Sequence, residues 1–104
     1  MEGMELICFQ IISAVGTARS LYIEAIHEAK VGNINGAREM IKEGGQVFIQ
    51  GHHAHVQLIQ NEASGNKTEI GLLLIHAEDQ LMSAEAFGIL AEEFVDLYEL
   101  ILKK

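Results

Sequence analysis

The chain has 104 residues, which makes a single domain over 1–104, because a split would leave two pieces each too short to bury a core. Apolar residues make up 49% and charged residues 21%, a balance that excludes a disordered segment and a chain built of membrane spans. Fifteen acidic residues against seven Lys and Arg leave a formal charge of −8, which repels phosphate backbones and anionic lipid and argues against nucleic acid as a partner.

There is no proline, where average usage would give roughly five, so nothing interrupts long helices. At the N-terminus, Glu2 and Glu5 stand where a secretory signal needs positive charge, and Gln10 and Ser13 break the apolar stretch that follows. No export segment or membrane anchor is expected. Met4, Cys8, Ile11, Val15, Ala18, Tyr22, Ala25 and Ala29 then step by alternating fours and threes, the seam of a helix over about 4–30. Cys8 is the only cysteine, so no intrachain disulfide can form and a reducing, cytoplasmic setting is expected. On the seam it reads as a small buried hydrophobe.

Gly32 can take the left-handed conformation that ends a helix, and Asn33 can cap the next one. The second helix, about 34–62, has the seam Ala37, Ile41, Gly44, Phe48, Gly51, His55 and Leu58, whose glycines allow a neighbour to come close. Residues 63–68 form the second turn. Thr68 followed by Glu69 predicts a capped third helix over about 69–102. Its seam reads Leu73, His76, Gln80, Ser83, Phe87, Leu90, Phe94, Leu97 and Ile101, with Glu78, Glu85, Glu92, Asp96 and Glu99 on a solvated face. Ile70, Leu74, Ala77, Leu81 and Val95 make a second apolar strip, so this helix is apolar over more than the ~100° one neighbour needs.

The fold class is therefore all-α, an antiparallel up-down-up three-helix bundle of helices roughly 40 to 50 Å long at 1.5 Å per residue. The surplus apolar face of the third helix predicts a homo-oligomer.

His76, Gln80 and Ser83 hold seam positions that otherwise carry Leu, Phe and Ile, and Asp79 lies beside them on the same face. One reading is that polar seam residues set register or oligomer state in a non-catalytic helical module. The other is that the neutral imidazole of His76 is a nucleophile, with Gln80 donating to an anionic group and Asp79 orienting the ring or binding a cation. A lone Asp makes a poor metal site, but a threefold oligomer would supply the oxygen cluster that hard cations favour.

The run Leu73-Leu74-Ile75-His76-Ala77-Glu78-Asp79-Gln80-Leu81-Met82 resembles the phosphorylation-site helix of the lactose/cellobiose-type enzyme IIA proteins of the bacterial phosphotransferase system. Ala18-Arg19-Ser20, Ala29-Lys30-Val31-Gly32-Asn33 and Leu58-Ile59-Gln60-Asn61-Glu62-Ala63 are similar to that family as well, so nearly the whole chain is covered. The resemblance implies a homotrimer of three-helix protomers in which His76 takes a phosphoryl group from phospho-HPr. It passes that group to a cysteine of enzyme IIB, which serves the membrane subunit IIC in sugar uptake. It further implies that Asp79 meets its symmetry copies around Mg2+ on the trimer axis. Glu78 stands where the family commonly has Gln, and Gln80 where it commonly has His. An amide donates to a phosphoryl oxygen but carries no charge, which weakens charge-assisted stabilisation there. The sugar belongs to the membrane subunit and is not written in this chain.

Other patterns carry less. His52, His53 and His55 lack the further ligands of a closed zinc site, and Glu24-x-x-His27 is one copy of a spacing that di-iron bundles need twice. Met40 and Met82 read as core filler. A histidine phosphotransfer domain of two-component signalling would also carry a reactive histidine on a helix, but in four helices and with a different local motif.

Overall fold

The computed structural model describes residues 3–104 as three helices, α1 (Gly3–Lys30), α2 (Ile34–Ala63) and α3 (Leu72–Leu102), running up, down and up. Glu2, read above with Glu5 as part of an acidic N-terminus, lies outside the described residues. The bundle is a rod of 56 × 24 × 20 Å.

α1 packs against both other helices more extensively than they pack against each other. Its seam explains why: Cys8, Ile11, Val15, Ala18, Tyr22, Ala25 and Ala29 are all buried, with Met4 half-buried at the end. Fully burying a side chain such as Ile11 or Val15 contributes about 1.5–3 kcal/mol, so this line is the backbone of the core. The length and apolarity of α1 would also suit a membrane span. Here the seam residues face the other two helices, while Leu6, Phe9 and Ile23 on the other side are exposed.

The first turn closes as its residues dictate. Gly32 adopts φ 93°, a region that only glycine enters cheaply, and the Asn33 side chain accepts the Gly36 N–H at 3.1 Å to cap α2. In α2, Ala37, Gly44, Gly51, Ala54 and Leu58 are buried. The glycines mark close approach: a Cβ on Gly44 would lie 2.7 Å from the Tyr22 ring, and one on Gly51 2.8 Å from Val15 Cγ1. Tyr22 is held from the other side by Gly88 of α3, where a Cβ would lie 3.0 Å from the same ring.

α3 departs from expectation twice. It begins at Leu72 and not at Glu69, and Thr68 does not cap it; the N-cap residue is Gly71, extended at φ −139° and ψ 177°, with no side-chain cap. A helix begun at Glu69 would carry Gly71 in its first turn, where glycine costs about 1 kcal/mol relative to alanine. The faces are also exchanged. Leu74, Ala77, Leu81, Ala84, Ala91 and Val95 are buried against α1 and α2, whereas Phe87, Leu90, Phe94, Leu97 and Ile101 are exposed. Ile70, read as the first residue of the second apolar strip, precedes the helix and is exposed. The physical reason is size: the small residues Ala77, Ala84, Gly88 and Ala91 let α3 lie close to α1, and the phenylalanines cannot.

Candidate functional site

The polar interruption sits on the outward face of α3. Ala77 is fully buried and fixes the helix rotation, which leaves His76 and Asp79 exposed and Gln80 and Ser83 half-buried at the edge of the α1 contact. His76 is thus open to an incoming protein while standing on a helix anchored from beneath. Within one turn of it on α3, Leu72 is 83% exposed, Ile75 is 55% exposed and Leu73 is half-buried, so the approach is apolar.

Gln80 is tied down by α1. Its side-chain oxygen accepts a hydrogen bond from Arg19 Nη1. A guanidinium has only donors, so the oxygen must be the atom facing Arg19, and the NH2 end stays available as a donor. Gln80 lies one helical turn beyond His76 on the same face.

The acidic residues of α3 are not simply solvated, because several meet α2. His55 Nε2 and Glu78 Oε1 are 2.9 Å apart. Arg38 pairs with Asp96 at 3.0 Å and Glu99 at 2.9 Å, and these two carboxylates push its already high pKa further up. At such exposure each pair contributes little, about 0–1 kcal/mol. The histidines of α2 diverge: His52 stacks on Phe48 with centroids 6.3 Å apart, His53 lines an open groove between α1 and α2, and His55 meets Glu78. Glu24 and His27 are both exposed. Among the described residues no three metal-ligating side chains gather, so Asp79 is a single carboxylate of its protomer.

Cys8 is buried, and burial, followed by the negative charge of Glu78, pushes its thiol pKa up. Met40 is half-buried and packs on the core, but Met82, expected there too, is 70% exposed because it lies on the outward face next to Leu81. Two features escaped the residue-by-residue reading. The Arg19–Gln80 bond was signalled only by Arg19 following the seam residue Ala18, and the His55–Glu78 pair needed the relative rotation of α2 and α3, which one sequence does not fix.

The family described as "PTS system, Lactose/Cellobiose specific IIA subunit" matches residues 6–99. Among curated proteins, the "Lichenan-specific phosphotransferase enzyme IIA component" of Bacillus subtilis is 44% identical, over 99% of this chain and 94% of that protein. Among solved structures, the cellobiose-specific enzyme IIA of Bacillus anthracis superimposes with a TM-score of 0.95 at 43% identity, over 100% of this chain and 96% of the other. The IIA(Chitobiose) of the Escherichia coli N,N'-diacetylchitobiose branch, solved in complex with HPr, matches with a TM-score of 0.83 at 29% identity, over 97% and 98%. The match along nearly its whole length, together with a histidine-bearing helix on a three-helix bundle, places the chain in the lactose/cellobiose-specific IIA family of the bacterial phosphotransferase system.

Proposed function

We propose that His76 is the residue on which this IIA subunit carries its phosphoryl group, taken from phospho-HPr and passed to the cysteine of a cognate enzyme IIB. The observation that supports the reading is the exposure of His76 on a helix whose neighbouring residues, Ala77 and Leu81, are buried. A phosphoryl carrier needs an oriented nucleophile open to two successive partners, and little else from the protein. In the first transfer the neutral imidazole lone pair of His76 forms the new N–P bond as the N–P bond of the donor histidine breaks. The His76 ring gives up one proton and the leaving ring gains one, so the step is proton-neutral. In the second, a cysteine thiolate attacks phosphorus and His76 leaves as an imidazole after regaining its proton. The apolar surroundings of Leu72, Leu73 and Ile75 offer a contact that forms and parts quickly.

The exposed row Phe87, Leu90, Phe94, Leu97 and Ile101 is a continuous apolar stripe on one protomer, and burial between three copies accounts for it. In such a trimer the copies of Asp79, next to the stripe, supply hard oxygen ligands that suit Mg2+; a single protomer supplies only one. When bound, the ion would neutralise carboxylates that otherwise repel. The protomer faces a cytoplasmic relay: HPr on one side and enzyme IIB, with its membrane subunit IIC, on the other.

Incubation with phosphoenolpyruvate, enzyme I and HPr tests the reading. Acid-labile phosphate is expected on the wild type and not on His76→Ala. An unlabelled wild type, or label that a sensor kinase supplies and HPr does not, overturns it.

A further inference from the structure

The chain has two arginines, and the structure treats them differently. Arg38 is answered by two carboxylates, Asp96 and Glu99, on an exposed surface. Arg19 is half-buried between α1 and α3, and the group it meets there is the uncharged amide of Gln80. A guanidinium partly withdrawn from water keeps its full charge, and desolvation strengthens its pull on any anion brought near. In a chain of net charge −8, an arginine that has no carboxylate partner among the described residues, and that meets a side chain one turn from an exposed histidine, is out of keeping with the rest of the surface.

We infer that Arg19 is a positioning residue of the phosphoryl site: it holds the Gln80 amide by its oxygen, so that the NH2 end is presented to a phosphoryl group on His76, and polarises that amide with its charge. The inference rests on His76 being the acceptor. The pairing explains how a neutral amide can serve at this position. An unrestrained glutamine must give up the rotational freedom of its side chain to present nitrogen to the anion. With Arg19 bound, only one orientation satisfies both neighbours, and each hydrogen bond of the chain strengthens the next. Residues one turn apart have Cβ atoms about 5–6 Å from each other, which puts the amide within reach of a group on the ring.

The test measures how phosphoryl groups distribute between HPr and this protein at equilibrium, together with the lifetime of the isolated phosphohistidine. Arg19→Gln is expected to shift the distribution toward HPr roughly tenfold, the size of one charge-assisted hydrogen bond. Arg19→Lys, which keeps charge and a donor, is expected to recover to within about threefold of wild type. In a Gln80→Ala background the effect of Arg19→Gln should shrink to less than about threefold, because Arg19 acts through Gln80. Should Arg19→Gln lose helicity, Gln80→Glu takes its place: it keeps a partner for Arg19 but loses the NH2 donor, and a tenfold or larger shift is expected. A wild-type distribution in Arg19→Gln, or in Gln80→Glu, overturns the inference, as does an undiminished Arg19 effect without Gln80. Failure of the wild type to accept phosphate at all would instead count against His76 as acceptor.

Discussion

Tyr22 sits where all three helices meet, with Gly44 on one side of its ring and Gly88 on the other. Alanine at Gly44 gains up to about 1 kcal/mol of helix propensity and loses more, because its Cβ would lie 2.7 Å from a ring that has nowhere to go. Gly44→Ala is therefore expected to destabilise by about 1–3 kcal/mol in chemical denaturation. Gly16 has nothing within 4 Å of the same position, so Gly16→Ala should stabilise by about 0.5–1 kcal/mol at equal protein concentration. The signs are the content of the prediction. Cys8 supplies a second one. Burial first, and Glu78 second, raise its thiol pKa, so the native state holds the proton more tightly than the unfolded chain does. Its contribution to stability is complete below the unfolded value of about 8.5 and declines as pH rises above it. Alkylation of native protein at pH 8 should run at least about tenfold slower than in denaturant, and equal rates would contradict the burial.

At the scale of helices, the cap that holds α2 is a single side chain. Asn33 accepts the Gly36 N–H at 3.1 Å, and its Nδ2 donates to Glu28 at 2.9 Å, tying the end of α1 to the start of α2. Asn33→Ala is expected to cost about 1 kcal/mol, read as a lower melting temperature with helicity retained. This turn was legible because its chemistry is local: Gly32 and Asn33 each dictate their own conformation. The seams of α1 and α2 were legible for a related reason, since only one face of each repeats every three and four residues. α3 repeats on two faces, and periodicity cannot say which one lies inside. The deciding information is the bulk of Ala77, Ala84, Gly88 and Ala91 against Phe87 and Phe94. His76 and Gln80 stood out as polar breaks in an apolar row, with Asp79 beside them, and that row lies on the outward face of α3. The second partner of each contact, Arg19 for Gln80 and His55 for Glu78, depends on how helices turn toward one another, which no single helix encodes.

For the molecule as a whole, the proposed trimer would place the outward stripe of α3 between copies. Phe94 is 42% exposed in the protomer, and placing a charge there would bury it between copies without a partner. Phe94→Asp is expected to give monomers in sedimentation while far-UV circular dichroism stays close to wild type; an intact trimer would mean that another face is covered. Asp79→Leu is expected to keep the trimer or tighten it, by removing carboxylates that repel where copies meet.

The wedge of Tyr22 between two glycines has an optical corollary. The chain has no tryptophan and only two tyrosines, and the other, Tyr98, is half-buried near the end of the rod. The two phenols absorb near-ultraviolet light about equally, but Tyr22 is the one clamped at the junction of α1, α2 and α3. Its asymmetric surroundings give the native protein a sharp dichroic band above 270 nm on the order of that seen for immobilised rings, and loosening of any one helix would erase the band while the backbone signal persisted.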